Sequence, residues 1–136
     1  SDTTGFASPV QVRDYTREIH QLLGTEMLSG IHLHNTRGQG LANVMAALDA
    51  GLTTVDASMG GIGGCPFAPG ASGNSVTEDL VFLLESMGLK TGVNFEHLMA
   101  ARKVVAEALP EVELYGFTPN AGLPRGFRPA TDQSRG

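Results

Sequence analysis

The stretch "IHLHNTRGQGLANVMAALDAGLTTVDAS", residues 31–58, decides how the chain is read. Ile31 to His34 alternates an apolar residue with a histidine. That is the period of a half-buried strand, and it puts both imidazoles on one face. A polar turn, "NTRGQG", follows. Leu41 to Ala50 is then rich in Ala, Leu and Met and is closed by Gly51, the pattern of a helix with a glycine stop. Thr53 to Ser58 is again β-rich. Strand, turn, helix and strand follow one another within 28 residues.

The same alternation extends both ways. Upstream, "SDTTGFASP" reads as the end of a strand entering a loop, which suggests a chain cut from something longer. Pro9 opens a helix carrying Val12, Tyr15, Ile19, Leu22 and Leu23 at helical spacing, and Gly24 to Gly30 form a connector. Downstream of a glycine-rich loop, "SVTEDLVFLLESMG" begins with Ser75 and Glu78 at capping-box spacing and ends at Gly88. A last helix runs from about Phe95 to Leu109 and stops at Pro110. The Gly/Pro-rich tail from Tyr115 is expected to be irregular. Strands alternating with helices indicate a parallel α/β sheet, and in such folds chemistry gathers at the C-terminal ends of strands. Those ends carry Asp2, then His32 and His34, then the loop holding Cys65.

Composition narrows the function. At 136 residues the chain has the length of one ordinary domain, with 41% hydrophobic and 17% charged residues. A net charge of −5 without a basic stripe argues against a nucleic-acid partner. No apolar run approaches the roughly 18 residues of a membrane span. A single cysteine excludes an internal disulfide framework and suits a reducing, cytoplasmic location.

His-x-His on a strand places two rings roughly 6.5–7 Å apart along the backbone, close enough to converge on one metal ion. The competing reading is a half-buried pair bonded to its neighbours. Asn74 could add an amide oxygen, and two histidines with oxygen donors suit several divalent metals. The segment "GIGGCPFAPGASGN", residues 61–74, holds Cys65 among five glycines and two prolines with no charge. Such a segment can close over a site and open again, carrying a thiol as general acid or base. A lone cysteine is otherwise an inert small hydrophobe. The loop lacks the Gly-Lys-Ser/Thr ending of a phosphate-binding loop. Glu78 is either the capping carboxylate or an active-site group. His20 and His97 fall on helix surfaces. Arg102 with Lys103, and Arg125 with Arg128, read as surface charge, an anionic ligand being the alternative.

With these residues assembled, the chain resembles the C-terminal part of a hydroxymethylglutaryl-CoA lyase of the bacterial type, from "SDTTG" through "HLHNTRGQGLAN" and "VDASMGGIGGCPFAPGASGN" to "TEDLVFLLESMGLKTGVN". Related synthases share the His-x-His strand and a Gly-Asn pair but carry a Gly-Glu-Arg segment where this sequence has "GGCPFAPG". The resemblance implies a metal-dependent TIM barrel, of which residues 1–110 supply about three β-α units, strands six to eight, with 111–136 as a tail. It implies that His32 and His34 are metal ligands on strand seven and that Asn74 completes or adjoins the metal site. Asp2 then matches an active-site aspartate ending strand six, Cys65 the catalytic cysteine after strand eight, and Glu78 a carboxylate supporting the cysteine loop.

It further implies Mg²⁺ or Mn²⁺, an acyl-CoA substrate cleaved to acetyl-CoA and acetoacetate, His32 as a proton relay, and a homo-dimer at full length. A barrel takes about 250 residues and eight strands. The segment that in the family carries an arginine and a further metal-binding aspartate precedes this part, so the chain alone is expected neither to close a barrel nor to turn over substrate. Asn35 stands where many relatives carry Asp. Two other readings are an aldol- or Claisen-type enzyme of the same barrel family acting on another acyl-CoA, and a metal-binding fragment without turnover.

Overall fold

A computed structural model describes residues 1–64 and 73–135. Cys65, and with it the expectation for the thiol, lies outside the described residues. The chain forms two compact units, one of Ser1–Ser58 with Gly63–Ser75 and one of Met59–Ile62 with Val76–Gly136.

The first unit is the β-α part. Helix α1 spans Pro9–Leu23, strand β1 Gly30–His32, helix α2 Gly40–Asp49 and strand β2 Thr54–Asp56. β1 and β2 pair in parallel with Ile31 opposite Val55 and His32 opposite Asp56. On the other edge of β1, Asp2 makes a parallel bridge to Leu33, and the Asp2 amide donates to the His32 carbonyl at 3.2 Å. Three parallel stretches therefore lie side by side, as the alternation predicts. β1 is shorter than expected. Leu33 and His34 continue it as single bridges, since Asp2 and Asn74 each pair at one residue only.

Period two then sorts the side chains. Ile31 and Leu33 line an apolar cleft with Val12, Ile19 and Leu52, and the two histidines take the opposite face. Leu33, Val44 and Ala47 are fully buried. α1 starts on a reciprocal capping box at Ser8 and Gln11, with Pro9 in its first turn. His20, expected on the surface, is half-buried and bonds the Leu28 carbonyl through Nε2 at 2.7 Å, pinning the connector.

The second unit is helical: a 3₁₀ turn at Met59–Gly61, helix α3 at Thr77–Ser86, α4 at Phe95–Ala108, α5 at Thr118–Ala121, and a 3₁₀ turn at Ala130–Arg135. Val81, Phe95 and Leu98 form its core, with Phe82, Met99 and Phe127 packed against them. Phe127 brings the tail into that core, its ring 5.1 Å from Phe82 and 6.0 Å from Phe95. The tail is thus not merely irregular.

α3 bears three buried acids that each hold a distant segment by its backbone amides. Glu78 accepts from Gly60, Asp79 from Phe117 and Thr118, and Glu85 from Thr91 and Thr131. The capping box expected at Ser75 does not form. The helix N-cap is Val76, which makes no side-chain bond, while the Ser75 hydroxyl donates to the Leu33 carbonyl at 3.0 Å. Glu78 has the stronger use, since a buried amide left unpaired would cost about 1–3 kcal/mol, while the Ser75 hydroxyl is a second donor to a Leu33 carbonyl that already accepts the Ser75 amide at 3.1 Å.

Candidate active site

The first unit collects the polar strand ends. His32 sits opposite Asp56 in the β1–β2 ladder, and its Nδ1 contacts the Asp56 carboxylate. A carboxylate only accepts, so Nδ1 is the donor, and in the neutral ring that leaves the lone pair on Nε2. That Nε2 stands 3.2 Å from Nε2 of His34, the rings meeting edge to face at 77°. His34 is 7% exposed. Burial holds its pKa below the ordinary histidine value, the nearby His32 adds to that, and the charge of Asp2 works against both. A neutral imidazole is the form that binds a metal.

Asp2 stands on the other edge of β1, its carboxylate accepting amide bonds from Phe6 at 3.1 Å and Ala7 at 3.0 Å. Asn74 bridges His34 in antiparallel sense. Its amide nitrogen packs against the backbone of Gly63, where an added Cβ would stand 2.7 Å away and where φ is +103°. Only glycine suits that position.

These residues fit a divalent ion in part. Two nitrogen donors about 2.1 Å from one ion at a right angle stand about 3.0 Å apart, close to the separation of the two Nε2 atoms. Nδ1 of His34 is buried with no hydrogen-bond partner among the described residues. Among the described residues no group of three or more His, Cys, Asp and Glu forms a complete metal cage. The pair supplies two donors of a site that needs more.

Glu78 belongs to the second unit and is wholly buried. Both its oxygens accept from the Gly60 amide, at 3.2 and 3.0 Å, and Arg102 donates to it at 2.7 Å. Arg102, read as surface charge, has a side chain only 14% exposed and also bonds the carbonyls of Leu114 and Tyr115. Gly60 adopts φ +62° with Leu114 pressed against it, so the Met59–Gly61 turn is clamped by this ion pair.

Sequence reading overlooked Asp56. Its signal was an acid placed as far into its strand as His32 is into the neighbouring one. The side-chain oxygen of Asn35 accepts from the amide of Gly40, the first residue of α2, at 2.9 Å, while the N-cap position itself is Gln39, which makes no side-chain bond. Arg37 donates to the Thr4 and Gly5 carbonyls and lies 4.1 Å over the Phe6 ring, tying the turn after β1 to the segment after Asp2.

Parallel strands alternating with helices, with histidines and carboxylates gathered at neighbouring strand ends, define an α/β chain of the kind that builds its chemistry at one edge of a sheet. A model of the HMGL-like family matches residues 1–105, and the chain belongs to that family. It is 44% identical over 108 residues to the hydroxymethylglutaryl-CoA lyase YngG of Bacillus subtilis, covering 79% of this chain and 36% of that protein. It is 48% identical over 101 residues to the (R)-citramalyl-CoA lyase of Chloroflexus aurantiacus, covering 74% of this chain and 32% of that one. Among solved structures, an HMG-CoA lyase from Acinetobacter baumannii in complex with coenzyme A and 3-methylmalate superposes with a TM-score of 0.82 at 42% identity, covering 93% of this chain and 41% of that chain. The chain therefore spans about a third of the length of the curated relatives it matches. No helix among the described residues is long and apolar enough to cross a membrane.

Proposed function

We propose that the chain is the part of a hydroxymethylglutaryl-CoA lyase that carries the metal-binding histidines and the catalytic cysteine, corresponding to strands six to eight of a (β/α)₈ barrel. The observation that carries the proposal is the facing of the two Nε2 atoms at 3.2 Å beside Asp2 and Asn74. Membership of the HMGL-like family and two lyases among its relatives support it.

In this account His32 and His34 hold Mg²⁺ or Mn²⁺, with Asn74 adjoining. When bound, the ion polarises the tertiary hydroxyl and a carboxylate or carbonyl oxygen of the substrate. His32 has one lone pair to offer, since its Nδ1 is engaged by Asp56. As a ligand it does not also take a proton, which moves the role of base from His32 to Asp2. The Asp2 oxygens each accept one amide bond and keep further lone-pair capacity.

Loss of the hydroxyl proton to Asp2 turns that carbon–oxygen bond into the ketone of acetoacetate. The adjacent carbon–carbon bond breaks, and its electrons pass to the thioester enolate. The enolate carbon takes the proton of the Cys65 thiol to give acetyl-CoA, leaving a thiolate to be reprotonated. Glu78 and Arg102, by holding Gly60, fix one root of the segment that bears Cys65.

A chimera in which this chain replaces the matched third of the Bacillus subtilis relative tests the proposal. It should release acetyl-CoA and acetoacetate from 3-hydroxy-3-methylglutaryl-CoA, and Cys65→Ala should lower kcat by a factor of about 100 or more while metal binding persists. A folded chimera without turnover, or one indifferent to Cys65→Ala, contradicts it. The second reading, an (R)-citramalyl-CoA lyase, is favoured by the 48% identity to that enzyme. Cleavage of citramalyl-CoA in preference to the hydroxymethylglutaryl thioester would select it.

A further inference from the structure

We propose that Asp56 is a positioning residue for His32, holding the imidazole in the one tautomer whose Nε2 lone pair faces His34. A neutral imidazole has one N–H, and the proton sits on the nitrogen whose partner can only accept. Asp56 supplies such a partner at Nδ1. Its place is set by the backbone, because His32 and Asp56 are direct partners in the parallel β1–β2 register, so the carboxylate arrives beside the ring wherever the ladder forms.

The two histidines need different support. His34 is 7% exposed, whereas the His32 side chain is 37% exposed and that of Asp56 66%. An exposed polar contact of this kind stabilises a fold very little. What it can do is choose a ring orientation and a proton position, and a ring with nothing at Nδ1 would spread over both tautomers. A carboxylate behind a metal-binding histidine also raises the basicity of the ligating nitrogen, and removing such partners typically weakens metal binding about 10- to 100-fold. The part of this inference that concerns metal rests on the ligand role proposed above; the tautomer part stands without it.

The test uses the full chain with ¹⁵N-labelled histidine, free of metal, as wild type, Asp56→Ala and Asp56→Asn. The wild-type His32 signals should report a protonated Nδ1 and a bare Nε2. Asp56→Ala should mix in the Nε2–H form, and Asp56→Asn, whose amide oxygen still accepts, should restore the wild-type pattern. With Mn²⁺ alone as the probe, Kd should rise about 10- to 100-fold in Asp56→Ala and recover most of that in Asp56→Asn, at unchanged Tm. An Asp56→Ala chain that keeps the wild-type tautomer overturns the proposal, whatever happens to Tm. A shifted tautomer with unchanged or absent Mn²⁺ binding upholds the positioning of the ring and removes the metal-ligand reading instead.

Discussion

The Nε2 atoms of His32 and His34 stand 3.2 Å apart on one face of a parallel strand, with Asp56 behind the first and close packing around the second. Alternation along β1 puts Ile31 and Leu33 into the apolar cleft and leaves only the histidines to face the other way. The strand thus separates its structural side from its chemical side residue by residue.

Glu78 and Arg102 form the ion pair on which the second unit depends. Glu78 is wholly buried and the Arg102 side chain is 14% exposed. Arg102→Ala leaves a buried carboxylate without its counter-charge and should cost about 3–5 kcal/mol, read as a lower midpoint in urea. Arg102→Met with Glu78→Gln should cost less than the sum of the single changes, because neither leaves a lone charge behind.

Glu85 makes the second unit sensitive to acid. Burial alone would raise its pKa. The side-chain bonds from Thr131 and Thr91, and then their backbone amides, outweigh that and lower it from 4.5 to about 2. The unfolded chain therefore binds the proton more readily. The stabilisation is complete above about pH 4.5 and is lost as pH falls from there toward about 2. Thermal melts across that range should show Tm falling in the wild type and a much flatter profile in Glu85→Gln. The variant should also be less stable at pH 7 by about 1.5–3 kcal/mol, the worth of hydrogen bonds to a charged group.

The Asn35 side chain accepts the first amide of α2, that of Gly40, at 2.9 Å. Asn35→Asp keeps the acceptor and adds a negative charge at a helix N-terminus, which should stabilise the first unit by about 0.3–1 kcal/mol. Asn35→Ala removes the acceptor and should cost about 1 kcal/mol, the net worth of one hydrogen bond. Denaturation midpoints of the two variants, moving in opposite directions, check the assignment.

Periodic signals were legible in the sequence and single long-range partners were not. The His-x-His strand, α2 with its glycine stop, α1 from Pro9 and α4 from Phe95 all announce themselves by local spacing. Ser75 and Glu78 have the spacing of a capping box whether or not one forms. What decides is Arg102, 24 residues away, and Leu33, 42 residues away, competing for them. The real capping box, Ser8 with Gln11, was overlooked beside the more conspicuous Pro9. Phe127 and Thr131 lie in a stretch whose prolines and glycines carry no period, so nothing local marks them as a core aromatic and a partner for Glu85. Asp56 required the strand register, because its meaning comes from standing opposite His32.

The most direct test of the central claim is pulsed electron paramagnetic resonance on Mn²⁺ added to the full chain with ¹⁵N-labelled histidine. The account predicts hyperfine coupling to two imidazole nitrogens, one lost in His32→Ala and the other in His34→Ala. Coupling to no histidine nitrogen, or a spectrum that neither substitution alters, would contradict it.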